Sequence, residues 1–264
     1  MAAPALTLFP LVPNVALPKA ASARTRTSVP LGYGVQEQCL PFTAASALGF
    51  LIPSPIRFGL CLLEELPKGC RAFRAPLNTP RGDGSYADAR VFYVFDNPDC
   101  RFVGNAYQFR GVSATGAPWS SVQEPGISFF DRDDQPDLIK LHLPYIWRTS
   151  SAVDTIFLPL LNRPAHGLEV KCGLVETDWY NSPVNLVLGM PPGSFHVEIG
   201  TPLAQALLVP RDLRRPKLEI VGEEGQLSLD ARRKLAEWDR QHAENRSVYK
   251  VLARSGHGRL EREK

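Results

Sequence analysis

Apolar and polar positions alternate in short runs along most of this chain, and residues that favour turns separate the runs. The runs are "RVFYVFD" (90–96), "NAYQFRG" (105–111), "GISFF" (126–130), "LIKLHLPYIW" (138–147), "TIFLPLL" (155–161), "PVNLVL" (183–188), "FHVEIG" (195–200), "LAQALLVP" (203–210) and "KLEIV" (217–221). They are short and rich in β-branched and aromatic residues, which suit a half-buried pleated surface. "CLPFTAASALGFLIP" (39–53) predicts a short strand, a tight turn at Gly49 and a second strand. About ten strands with turn signals between them predict a mostly-β barrel or sandwich. One helix is predicted near the C-terminal end, with Ser228 as its N-cap and Asp230 in its first turn. Leu235, Trp238 and His242 follow helical spacing, and Val248, Tyr249 and Leu252 continue the stripe. The reading divides the chain into an extended Pro-rich arm (1–36), a β domain (37–225) and a C-terminal helix with a basic tail (226–264).

Composition narrows this picture. The 24 prolines among 264 residues disfavour long helices, because proline removes a donor and clashes inside a helix. Net charge is +3, and residues 211–264 carry 14 Lys and Arg against 10 Asp and Glu, a mildly basic tail that gives no electrostatic case for nucleic acid. The five cysteines form no C-x-x-C pair, which fits reduced thiols better than a disulfide framework or a zinc site. No apolar run approaches the roughly 20 residues of a membrane span. Residues 1–36 contain no acid, and "ALPKAASARTRTS" resembles a targeting flank. Pro4, Pro10, Pro13 and Pro18 interrupt any targeting helix, so a cytoplasmic protein is expected.

Candidate chemistry centres on "GLVETDWYNSPVNLVL" (173–188). Read as a strand, it puts Glu176 and Asp178 on one face, since residues i and i+2 share a side. Two like charges there are either a solvated edge or catalytic carboxylates awaiting a water or a ligand. Arg148, followed by Ser150 and Ser151, offers a planar fork for phosphate or carboxylate. "PPGSFH" (191–196) carries a P-x-G-x-x-H pattern, and His142, His166 or His196 with an acid would suit a metal-dependent oxygenase, although His196 and Glu198 alone do not make a site. Cys172 beside Lys171 lies near the acidic pair, a poor setting for a thiolate nucleophile. No G-x-S-x-G, phosphate loop or dinucleotide fingerprint is present.

Segment 167–221 resembles the core of the dUTP pyrophosphatase and dCTP deaminase superfamily. Its G-[LV]-I-D-x-D-Y strand motif is matched by Gly173-Leu174-Val175-Glu176-Thr177-Asp178-Trp179, and its second strand motif by Gly200 to Pro210. Arg148-Thr149-Ser150-Ser151 resembles the phosphate-contacting P-R-S-S, without the proline. The resemblance implies a β-clip-like (dUTPase-like) barrel with an extended N-terminal arm and a C-terminal α-helix. It implies Glu176 where the family has an aspartate that orients the attacking water or contacts the sugar, Trp179 where a tyrosine lies under the sugar, and Gln205, Arg148 and Ser150 toward phosphates. Glutamate for aspartate is one methylene longer, which moves the carboxylate. The pattern CLP…NRP…VETDW is also similar to an uncharacterised bacterial family of unknown function, which implies architecture and no chemistry.

The sequence therefore predicts an enzyme acting on a small phosphorylated or anionic molecule, with hydrolysis or deamination as the analogue. Glu176 and Asp178 would be catalytic, and Arg148, Ser150, Ser151, Trp179 and Gln205 ligand-binding. A non-catalytic binding or assembly module and a metal-dependent oxygenase of a biosynthetic pathway are the alternatives. The ligand is a small molecule, with no nucleic acid and no membrane as partner. A homo-oligomer is allowed, and a trimer is what the resemblance implies. No residue is assigned to a metal, and the cofactor is unknown.

Overall fold

The computed structural model describes residues 6–11, 15–23, 39–74, 90–95, 100–103, 106–109, 125–129, 138–163, 167–191, 193–214, 228–245 and 251. The chain divides into two compact units, one of residues 1–24 with 44–214 and one of 25–43 with 215–264. The expected strand at 217–221, His166, and Val248, Tyr249 and Leu252 lie outside the described residues.

The strands are β1 (Leu6–Pro10), β2 (Lys19–Ala20), β3 (Phe50–Pro53), β4 (Phe58–Leu62), β5 (Cys70–Arg74), β6 (Arg90–Phe95), β7 (Cys100–Val103) and β8 (Ala106–Phe109). They continue with β9 (Pro125–Phe129), β10 (Leu138–Thr149), β11 (Val153–Pro159), β12 (Glu169–Val170), β13 (Gly173–Val175), β14 (Pro183–Gly189), β15 (Phe195–Val197) and β16 (Pro202–Pro210). They form three antiparallel sheets. The first runs β12-β14-β10-β9-β8-β7, with β1 also on β10; the second runs β13-β11-β16-β3-β2; the third runs β15-β4-β6-β5. The architecture is thus mostly β, as the alternation predicts. Within the Pro-rich arm, β1 pairs with Tyr145–Thr149 of β10.

Strand β10 shows how sequence sets this topology. Ile139, Leu141, Leu143, Tyr145 and Trp147 alternate along it and are all buried. Pro144 sits mid-strand, where it has no N–H to give to a ladder. There β10 changes neighbours: it pairs with β9 through Ile139–Leu141 and with β1 from Tyr145 onward, and its register with β14 shifts between His142 and Ile146. The Pro144 carbonyl still accepts from Leu11 N at 3.0 Å. Trp147 then joins the first two sheets, with its ring edge-on to Phe50 of β3 at 5.9 Å and to Phe157 of β11 at 5.5 Å.

The stretch 39–53 differs from the expectation in its first half. Leu40–Ser46 is a helix, α1, rather than a strand. Its Pro41 occupies the first turn, where no N–H is needed, and the small residues after it carry no β-branched crowding beyond Thr43. The expected turn at Gly49 is present with φ +63°, and a Cβ there would lie 2.0 Å from the Ala206 carbonyl, so only glycine fits. The predicted C-terminal helix is α2 (Leu229–Glu244), capped by Ser228 Oγ accepting from Ala231 N, with no buried residue. β4, β5, β7 and β12 carry weaker alternation and add to the strands read from the pattern, while β13 takes up only the first three residues of the stretch read as a strand from 173.

Tyr145 is fully buried and its hydroxyl has no hydrogen-bond partner among the described residues. Burial pushes its ionisation far up, so it stays a neutral phenol. An unsatisfied buried hydroxyl costs about 1–3 kcal/mol. Tyr145→Phe is therefore expected to leave the urea unfolding midpoint unchanged or raised. Trp147→Ala is expected to lower stability by about 3–5 kcal/mol in the same measurement, through the cavity it leaves.

Candidate functional site

The residues around 148–152, 176–181 and 211 are brought together by two turns and a strand end. β10 and β11 are joined by a tight turn in which Val153 N donates to Ser150 O at 3.2 Å. Ala152 adopts φ +60°, a left-handed conformation that costs a residue with a Cβ about 1–2 kcal/mol. Its neighbours hold it there: Ala152 N donates to Asp178 Oδ2 at 3.0 Å, and Ala152 O accepts from Arg211 N at 2.8 Å.

β13 ends at Val175, and residues 176–180 form a turn rather than a continued strand. Trp179 N and Tyr180 N both donate to Glu176 O, at 3.4 and 3.1 Å. Strand alternation therefore does not govern Glu176 and Asp178. Beneath them Thr177, fully buried, is a hub. Its hydroxyl lies 2.8 Å from both the Thr149 and the Thr155 hydroxyls, Trp147 Nε1 donates to Thr155 Oγ1 at 2.9 Å, and Thr149 Oγ1 donates to Val153 O at 2.6 Å.

Above the hub, one arginine joins the carboxylates. Arg211 follows directly on β16; its Nε and Nη2 donate to Asp154 Oδ1 at 3.2 and 2.9 Å, and Nη2 donates to Asp178 Oδ1 at 2.6 Å. Asp154 is fully buried. Burial alone would raise the Asp178 carboxyl, but the hydrogen bonds from Arg211 and Ala152 N outweigh it and hold the group below its ordinary value. The bond to Asp154, followed by that to Asp178, raises the Arg211 guanidinium further above its ordinary range. Glu176 Oε2 stands 4.0 Å from Arg211 Nη2 and accepts from Trp179 Nε1 at 2.6 Å. The Trp179 ring is fixed by that bond and yet 59% exposed.

Arg148 completes the group from β10. Its Nη1 donates to Asp178 O at 2.7 Å and its Nη2 to Asn181 Oδ1. Arg148, Glu176, Asp178 and Trp179 thus share one surface, with Ser150 and Ser151 exposed in the adjoining turn. Gln205 does not join them. It pairs with Leu158, five residues along β11 from Val153, and is fully buried. Its Oε1 accepts from Leu161 N at 3.1 Å and its Nε2 donates to Leu48 O, so it fixes loops at the far end of the sheet.

Arg211, Asp154, Thr177 and Asn181 escaped the sequence reading. Asp154 and Arg211 are 57 residues apart and meet because β11 and β16 pair with Asp154 opposite Val209. That register is the only signal, and a mildly basic tail beginning at 211 conceals it. Of the histidines considered for a metal, His142 is buried on β10 and His196 lies on β15 in another sheet. Burial, followed by Lys140, lowers His142 to about 4. Among the described residues no three or more His, Cys, Asp or Glu are grouped to hold a metal ion.

No protein-family model and no curated protein matches the chain. Several solved chains are similar in part, one of them a phage enzyme. It is a dUTPase of Staphylococcus bacteriophage 80alpha, a point mutant with dUpNHpp, at 10% identity and a TM-score of 0.23 over 62% of this chain and 94% of that one. A likeness of that degree assigns nothing to this chain. No helix among the described residues is long and apolar enough to cross a membrane.

Two measurements test the lock. Thr177→Val removes the shared hydroxyl and leaves two buried threonines short of a partner, which is expected to cost about 1–3 kcal/mol in chemical unfolding. Asp178 has a depressed folded pKa, so its stabilisation is present above its unfolded value of about 3.9 and is lost as pH falls through the folded value. The gap in unfolding midpoint between wild type and Asp178→Asn is therefore expected to be widest above about pH 5 and to close toward pH 2. A gap independent of pH would remove the ion pair from the account.

Proposed function

We propose that the protein is a non-catalytic binding module for a small molecule that carries a flat ring and an anionic group, held at the Trp179–Glu176–Arg211 surface. The observation that carries this is the position of Glu176 Oε2, which fixes the exposed Trp179 ring at 2.6 Å and stands 4.0 Å from Arg211 Nη2. A pre-fixed aromatic face beside a cation offers stacking and charge recognition with little ordering cost on binding. Arg211 is one-third exposed, and its Nη1 is not engaged among the described residues. Ser150 and Ser151 add exposed hydroxyls in the adjoining turn.

The commitment of Asp178 favours binding over hydrolysis. One of its oxygens accepts from Arg211 and the other from Ala152 N. A carboxylate held below its ordinary pKa is a weak base, whereas a general base works best with a pKa near the operating pH. Asp178 therefore serves the turn, and Gln205 serves the core. A phosphorylated or anionic ligand stays within this reading through Arg211. The β-clip-like barrel and a homo-oligomer belong to it only through the motifs at 173–179 and 200–210.

The test is a panel of nucleoside mono- and triphosphates against pyrophosphate, which lacks a ring, read by thermal midpoint and tryptophan fluorescence. Ring-bearing phosphates are expected to raise the midpoint, by about 2.7 kcal/mol of stabilisation at a hundredfold excess over Kd. Trp179→Ala is expected to abolish the shift without unfolding the protein. No shift with any of them at millimolar concentration sinks the proposal. Release of phosphate by wild type that disappears in Glu176→Gln would replace it with the hydrolase reading.

A further inference from the structure

The third sheet carries a second polar cluster, on a face that the Trp179 surface does not use. Antiparallel register puts His196 of β15 opposite Gly59 of β4, and Gly59 opposite Tyr93 of β6. Residues opposite one another share a face, so the three form one row. Gly59 contributes no side chain, and Tyr93 reaches across it: the Tyr93 hydroxyl lies 2.9 Å from His196 Nδ1. A Cβ at Gly59 would stand 2.4 Å from that hydroxyl oxygen, so the row needs glycine. The next row holds Glu198, Arg57 and Phe95. Phe95 N donates to Arg57 O at 3.0 Å, and the Arg57 guanidinium carbon sits 3.8 Å from the centre of the Phe95 ring.

Two contacts compete at His196 Nε2, the Glu198 carboxylate at 2.7 Å and the Arg57 Nε donor at 3.3 Å, and the shorter one sets the tautomer. Glu198 Oε1 can only accept while ionised. Nε2 therefore carries the proton, and neutral His196 accepts at Nδ1 from Tyr93. The bond from His196, with Arg57 beside it, holds Glu198 below the ordinary carboxylate range, so Glu198 stays ionised. Burial pushes the Tyr93 phenol up to about 12, so it stays a hydroxyl and can turn from donor to acceptor. Gaining a proton on Nδ1 keeps both ring contacts, as Nδ1–H to Tyr93 Oη and Nε2–H to Glu198. Among the described side chains, the other titratable groups on this face are Cys61 of β4 and Cys70 of β5, and register puts Arg74 of β5 on the same face; burial pushes the Cys61 thiol up, with Cys70 next in effect, and Cys70 Sγ donates to Pro67 O at 3.0 Å.

Arg57 is the group left with capacity. Its Nε is 3.1 Å from Glu198 Oε1 and 3.3 Å from His196 Nε2, and its side chain is 40% exposed. Both Nη groups are uncommitted among the described residues. We propose that Arg57 and His196, on the floor of Tyr93 and Phe95, form a proton-linked binding site for a small oxyanion. The Arg57 fork meets the anion, and His196 takes up one proton as it binds. Arg57 and Glu198 cancel in charge, so a proton on His196 is what tips the cluster positive. With the added proton it carries +1, which offsets the repulsion from Glu198. Affinity therefore rises as pH falls, since the proton taken up on binding becomes more available.

Sulfate is a suitable probe, because its charge is constant between pH 5.5 and pH 8, and acetate serves as the planar carboxylate arm. Calorimetric titration of the full chain is expected to show sulfate binding at least tenfold tighter at pH 5.5 than at pH 8. Proton uptake is expected from the dependence of the heat on buffer ionisation. Arg57→Gln is expected to weaken binding at least tenfold at pH 5.5. His196→Gln is expected to bind with less than a twofold change across that range and with no proton uptake. His196 is exposed and Arg57 half-buried, and an unchanged thermal midpoint checks that each variant folds. Trp179→Ala should leave sulfate binding here intact, which separates this site from the one proposed above. The acetate arm tells a planar carboxylate from a tetrahedral oxyanion. Binding that is absent, independent of pH in wild type, or untouched by Arg57→Gln overturns the proposal.

Discussion

A single buried carboxylate sets the conditions for much of the functional surface. Asp154 has no exposure to water, and an ionised carboxylate in that position must be paired or it would cost several kcal/mol. Arg211 supplies two hydrogen bonds to it and a third to Asp178. Three chain segments are thereby held at one place: the start of β11, the end of β16 and the turn after β13. The left-handed Ala152 follows from the same arrangement, because Asp178 and Arg211 grip its N–H and its carbonyl. Trp179 owes its fixed and exposed position to the turn that Asp178 anchors. The ion pair matters less as a source of stability than as the element that decides where the exposed groups stand.

Much of the fold is legible because period-two patterning is a local signal. β6, β8, β9, β10, β11, β14, β15 and β16 fall within the alternating runs, with ends displaced by a few residues. Gly49 is legible as a turn because only a residue without a Cβ fits so close to the Ala206 carbonyl. α1 is not, because its seven residues, with Pro41, Thr43 and Ser46 among them, carry too few apolar positions to display a helical period. β4 is obscured, and β13 is legible but shorter than the stretch read as a strand. The run at 58–63 is continuously apolar apart from a glycine, and β13 is three residues long before a turn. The pairing of strands distant in sequence, such as β1 with β10, depends on tertiary register and has no local trace.

The candidate site divides along the same line. Arg148, Glu176, Asp178 and Trp179 were grouped by motif, and they meet on one surface because the β10 end and the 176–181 turn share the Thr149–Thr177 contacts. Gln205 was grouped with them by the same motif. The β11–β16 register instead carries it toward Leu158 and into the core, where its amide satisfies loop backbone. Arg211 and Asp154 had no motif to announce them, although they are the groups on which the turn depends. A motif specifies residue types at a spacing, and the register of two strands decides which of them converge.

The two polar clusters differ in what their charges are already doing. Around Arg211 the cation is largely spent on two acids, and the surface that remains for a ligand is the ring of Trp179 with one guanidinium nitrogen. On the third sheet Arg57 gives one nitrogen to Glu198 and keeps two, above a floor of rings placed by strand register. Rigid sheet rows hold side chains more precisely than turns do. Gly59 makes that precision possible, because the relay from Tyr93 to His196 exists only where the intervening strand presents no Cβ. A glycine in a strand interior weakens the strand by giving up packing and entropy. Here the loss lets a buried phenol meet an exposed imidazole, an arrangement that core stability alone does not require.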